Sequence, residues 1–100
     1  MKESGPDDYV RIHVWVKGRV QGVGFRSFVQ ECGVLLNLTG WVRNVGDDML
    51  ETIAEGPHVV LEQFVQSVRI GPRIGRVDET RVEWETACKE FLDFRVRNSA

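Results

Sequence analysis

The residues best suited to chemistry lie between positions 18 and 26, where the chain reads Gly18-Arg19-Val20-Gln21-Gly22-Val23-Gly24-Phe25-Arg26. Glycines at 18, 22 and 24 permit backbone angles that other residues avoid. Such a turn can aim several N–H groups into one concavity, a nest for an anion. A helix starting at its end would add unpaired N–H groups and the positive end of its dipole. Arg26 would then stand in the first turn, with a planar guanidinium that matches phosphate geometry. Nucleotide-binding patterns are not met, because Ser27 stands where a dinucleotide fingerprint has its third glycine and no Gly-Lys-Ser/Thr occurs. Spacing alone is also satisfied by a tight strand-to-helix connection with an exposed arginine.

The other polar residues suggest less. No histidine or carboxylate pair adjoins the loop. Lys17, Arg19 and Arg43 read as solvated charge, although Arg19 lies within the loop and would help attract an anion. Gln21 has a supporting role at most, orienting the loop by hydrogen bonds. His13 falls on the polar side of its strand, and His58 has no evident partner. Asn44 is suited to starting a hairpin turn. Cys32 and Cys88 form no CxxC and read as reduced thiols, though a bridge between them is compatible with the sequence.

The elements that must position these residues follow from periodicity. Val10, Ile12, Val14 and Val16 alternate with Arg11, His13, Trp15 and Lys17, the pattern of a strand with one buried face. Trp15 is too large for its own face to be bare. After the glycine loop, Phe28, Val29, Cys32, Leu35 and Leu36 recur at helical spacing, giving a helix over Phe25–Leu36. Gly33 weakens it by up to about 1 kcal/mol relative to alanine, and Asn37 can close it in the left-handed conformation.

Trp41–Val45 and Met49–Glu55 read as strands joined by the turn residues Gly46-Asp47-Asp48. Pro57 suits the first position of an amphipathic helix running to about Val68. Arg76–Thr86 is a fourth strand and Phe94–Val96 a short last one. Trp41, Phe25, Phe28 and Phe64 are assigned to the core. The order β-α-β-β-α-β plus a terminal strand is the α+β, ferredoxin-like arrangement: a two-layer sandwich with an antiparallel-rich sheet and both helices on one face.

Composition narrows the classes. One hundred residues make one domain, here residues 9–100, after a flexible tail over residues 1–8. A net charge of −2 argues against nucleic acid as the main partner. No apolar run approaches the roughly 20 residues that span a bilayer, and the polar start has no signal-peptide character. The expectation is a cytoplasmic monomer with no membrane partner.

The full string resembles the signature loop of the acylphosphatase family. Gly40-Trp41-Val42-Arg43-Asn44 is similar to the family's second signature, and Glu55-Gly56-Pro57 to its join between third strand and second helix. The resemblance covers roughly residues 9–97 and implies a ferredoxin-like hydrolase. Such an enzyme splits the carboxyl-phosphate anhydride of small acyl phosphates into a carboxylate and inorganic phosphate, with no metal and no cofactor. It implies that the loop backbone (Gly18, Arg19, Val20, Gln21, Gly22, Val23, Gly24 and Phe25) and Arg26 bind phosphate, and that Asn44 holds the attacking water. Two positions depart from the usual family pattern. Gly24 stands where relatives often have a larger residue, which makes the loop more flexible. Asn37 stands where they often have glycine.

Three rivals belong beside this resemblance. A ferredoxin-like RNA-binding module would place aromatics on an open sheet face within a basic motif, but the Lys/Arg-Gly-Phe/Tyr motif is missing. A sensor would bind an acyl phosphate without turnover. The chain would otherwise be a piece of a larger carbamoyl-transferring enzyme, since similar domains occur in such proteins.

Overall fold

The computed structural model describes residues 8–100. Its elements are β1 (Tyr9–Arg19), α1 (Phe25–Leu35), β2 (Thr39–Val45), β3 (Met49–Pro57), α2 (His58–Ile70), β4 (Arg76–Thr86) and β5 (Phe94–Val96). They build one five-stranded sheet in the order β4-β1-β3-β2-β5. All neighbouring pairs are antiparallel except β2 and β5. Of the tail expected over residues 1–8, positions 1–7 lie outside the described residues. Asp8 belongs to the fold, since its carbonyl accepts the His58 N–H at 2.9 Å.

The alternation in β1 sorts as expected. Ile12, Val14 and Val16 are fully buried against the helices. They meet Val29 of α1 and Leu61, Phe64 and Val68 of α2, with Val42, Leu50 and Ala54 from the neighbouring strands, in one core. The opposite face of the sheet is polar, and its His13 and Trp15 rings are only partly covered. His13 stacks on Trp15 with ring centroids 3.7 Å apart, and Arg81 lies over the Trp15 ring at 5.0 Å.

Trp41 corrects the core assignment made for it. It shares a side of β2 with Arg43, opposite Val42, so it lies on the outer face. Its low exposure of 8% comes from Arg43 and Arg97, whose guanidiniums each lie 4.9 Å from the ring. Phe25 and Phe64 are in the core, and Phe28 packs against it.

Pro57 is also displaced by one position. The β1–β3 ladder runs to the pair Tyr9–Pro57 and holds Pro57 extended (φ −61°, ψ 140°), so α2 begins at His58. That helix continues past Val68 to Ile70, and the Gly71 N–H then bonds to the Ser67 carbonyl at 2.9 Å. Asn37 takes the left-handed conformation expected of it (φ 58°). Cys32 and Cys88 are free, with Cys32 partly buried on α1 and Cys88 exposed.

Candidate active site

The glycine loop links β1 to α1, and its backbone alternates in hand. Gly22 has φ 74° and Gly24 φ 75°, whereas Val23 between them is not among the positive-φ residues. Alternating conformations of this kind turn successive N–H groups toward one side, as in an anion nest. Gly24 is also the N-cap of α1, and no side chain caps that terminus. Its carbonyl accepts the first helical bond, from the Phe28 N–H at 3.0 Å. Among the described residues, no acceptor takes the N–H groups from Gly22 to Ser27. The orphan donors of a helix start thus remain unpaired.

Packing holds the loop while its amides stay unpaired. The Val20 and Val23 side chains are buried in the core, so only their backbone is available to a ligand. Phe25, the first helical residue, is buried beside them. Arg26 follows it in the first turn, half-buried, and no ion pair or hydrogen bond engages it among the described residues.

Two expected loop members are placed differently. Gly18 and Arg19 are the last residues of β1, paired with β4 across a bulge. The Gly18 N–H bonds to the Asp48 carbonyl at 3.0 Å and so cannot serve an anion. Arg19 is exposed beside Lys17 and Arg76. Gly18 thus stands outside the stretch of unpaired N–H groups that runs from Gly22 to Ser27. Gln21 holds that stretch in place, its Nε2 donating to the carbonyls of Gly46 at 2.9 Å and Met49 at 3.1 Å, with Val45 at 3.5 Å. Only the likelihood of some loop-orienting bond was legible in the sequence, because these partners lie 24–28 residues away.

Those bonds tie the loop to the β2–β3 hairpin beside Asn44. Asn44 lies within β2, paired with Leu50, rather than in the turn, which removes its role as a turn starter. It shares the helix-facing side with Val42, while Arg43 points to the outer face and binds Glu51 at 2.8 Å. The Asn44 side chain is 8% exposed, and its Oδ1 is buried with no hydrogen-bond partner. An unsatisfied buried oxygen costs about 1–3 kcal/mol. The Asn44 backbone is fixed on its outer edge too, its carbonyl accepting the Ala100 N–H at 2.9 Å.

A broader concavity of about 700 Å³ opens on the outer face near Trp41, Phe91 and Arg97, and contains neither Arg26 nor Asn44. Two of its cations, Arg43 and Arg95, are paired with Glu51 and Asp93. The unpaired donors and the unpaired arginine are instead together at the start of α1.

Comparison with known proteins identifies the family. The acylphosphatase family profile matches residues 12–96. The acylphosphatase of Salinibacter ruber is 45% identical over 87 residues, covering 87% of this chain and 92% of its own. The crystal structure of Bacillus subtilis acylphosphatase superposes with a TM-score of 0.84 at 36% identity, covering 88% of this chain and 98% of that one. Full-length HypF in its phosphate- and nucleotide-bound form matches with the same TM-score of 0.84 at 31% identity, over 92% of this chain but 12% of HypF.

The chain belongs to the acylphosphatase family. It is a hydrolase of acyl phosphates, releasing a carboxylate and inorganic phosphate.

Proposed function

We propose that the phosphoryl group of the acyl phosphate sits on the N–H groups from Gly22 to Ser27 and on the Arg26 guanidinium, while Asn44 orients the attacking water. The observation carrying this reading is the alternating backbone at Gly22-Val23-Gly24, which leads into an uncapped helix start bearing an unpaired arginine.

The chemistry needs little else. Phosphoryl transfer spreads negative charge over the equatorial oxygens, and preorganised N–H donors with Arg26 stabilise that charge. Asn44 has no basic pKa and acts by position. Its Oδ1 is buried, so the Nδ2 end of the amide is the one that meets the water and donates to its oxygen. As the water oxygen bonds to phosphorus, the bond from phosphorus to the acyl oxygen breaks and its electron pair leaves with the carboxylate. A carboxylate is stable enough to leave without a general acid, and a phosphate oxygen of the substrate takes the water proton. Every step fits within one subunit, so a monomer is proposed, acting in the cytoplasm without a metal.

Benzoyl phosphate tests the assignment. The expected result is turnover that EDTA leaves unchanged, competitive inhibition by inorganic phosphate, and loss of activity in Asn44→Ala by about 10²-fold or more. Wild-type turnover by Asn44→Ala would remove Asn44 from the reaction. Sedimentation checks the monomer.

A further inference from the structure

We infer that Gln21 is a positioning residue that couples the phosphate-holding loop to Asn44, setting the water's approach to phosphorus; this rests on the roles just proposed for Arg26 and Asn44. Gln21 immediately precedes the alternating segment that begins at Gly22. Its side chain leaves the loop and ends among three carbonyl oxygens of the neighbouring hairpin, Val45, Gly46 and Met49. All three partners are acceptors, so the amide NH2 and not the oxygen must face them. Two N–H bonds are available, and the shorter contacts at 2.9 and 3.1 Å, to Gly46 and Met49, take them.

The placement of those carbonyls gives the bonds their consequence. Val45 and Gly46 directly follow Asn44, and Met49 opens β3 across the turn. The Gly18 N–H adds one more tie to the same hairpin, at Asp48. The loop carries the phosphate contacts and β2 carries Asn44, yet the two are separate segments of chain. Gln21 is the side chain that bridges them at the reacting end. Without it, the donors of α1 and Arg26 keep their own geometry, because Val20, Val23 and Phe25 remain anchored in the core. What changes is the offset between the held phosphorus and the water on Asn44. Displacement of about 1 Å between reacting groups can cost 10²-fold in rate.

A double-mutant cycle on benzoyl phosphate, with inorganic phosphate as the affinity probe, tests the coupling. Gln21→Ala is expected to lower kcat about 10- to 100-fold while the inhibition constant of inorganic phosphate stays within about threefold. In an Asn44→Ala background the same substitution should change kcat less than about twofold, since groups acting as a unit are not additive. Equal losses in both backgrounds would overturn the coupling and leave Asn44's own role intact. A wild-type kcat in Asn44→Ala alone would overturn the role of Asn44 and this inference with it.

Gln21→Glu is the second variant and gives a pH signature. Its ionised carboxylate would face three carbonyl oxygens, which disfavours the charged form and raises the introduced group's pKa. When protonated, it regains one donor. The kcat of Gln21→Glu relative to wild type should therefore rise as pH falls through that pKa. A ratio independent of pH would contradict the positioning role.

Discussion

Gly33 of α1 lies directly against the ring of Phe94 in β5: a Cβ on Gly33 would come within 2.4 Å of the Phe94 Cδ2 and 2.6 Å of its Cε2. Phe94 is itself buried and packs on Phe64, with ring centroids 5.8 Å apart. The glycine in mid-helix thus allows α1 to approach the last strand closely.

Gly33→Ala sets two effects against each other. Alanine gains up to about 1 kcal/mol in helix propensity. Overpacking a tight core contact costs typically about 1–3 kcal/mol, and the ring cannot swing away as a flexible chain end would. The clash should win. The urea midpoint of Gly33→Ala should fall, and a midpoint above wild type would show that Phe94 yields freely.

Glu55 is fully buried in the middle of the sheet, yet ionised. Burial opposes its charge, but N–H donation from Cys88 at 2.8 Å and from Lys89 at 2.9 Å, with Arg11 at 2.9 Å, holds its carboxyl below the ordinary glutamate range. Glu51 is depressed likewise: burial opposes ionisation, and His13 and Arg43 outweigh it. In the acid range the unfolded chain therefore binds more protons than the folded one. The stability from these two groups is present above about pH 4.5 and is lost as pH falls through their lower folded values. Glu55→Gln should cost about 3 kcal/mol at neutral pH, because the neutral side chain leaves Arg11 without a countercharge and its NH2 faces the Lys89 N–H, which loses its acceptor. Its stability, followed by urea unfolding from pH 7 to pH 3, should depend less steeply on pH than that of wild type. Equal slopes would contradict this account of Glu55.

The conformation of Gly24 explains the glycine. A Cβ there would meet nothing within 4 Å, so space is not the constraint. The constraint is φ 75°, which costs an ordinary L-residue roughly 1–2 kcal/mol. Gly24→Val should lose about that much stability and raise KM for benzoyl phosphate, whereas Gly24→Asn, which tolerates this region, should lose less. Equal losses in the two variants would place the constraint elsewhere.

Much of this architecture could be read from local pattern. The alternation of Val10–Val16, the left-handed Asn37 and the hairpin turn at Gly46–Asp48 are short-range features, and each lies where periodicity put it. The features that escaped depend on residues far apart in sequence. Gly33 could be read only as a weakness in α1, since its partner Phe94 is distant. Trp41 looked like core because a large aromatic usually is; its cover is Arg97, whose place beside β2 follows from the parallel pairing of β5. Gly18 was expected in the loop, but its amide is engaged by Asp48 across the hairpin, a partner far off in sequence. Arg26 was legible from the glycines before it. Asn44 was legible only through the family's second signature, because nothing local distinguishes it from a turn asparagine.

Arg26, on the first turn of α1, is proposed to hold the phosphoryl group. Its most direct test is kcat/KM of Arg26→Ala for benzoyl phosphate, measured beside wild type at neutral pH. A loss of 10²–10³-fold or more is expected from removing one positioned donor to a developing charge, with inorganic phosphate no longer inhibiting at concentrations that inhibit wild type. A kcat/KM within about threefold of wild type, with phosphate inhibition unchanged, would contradict this role of Arg26.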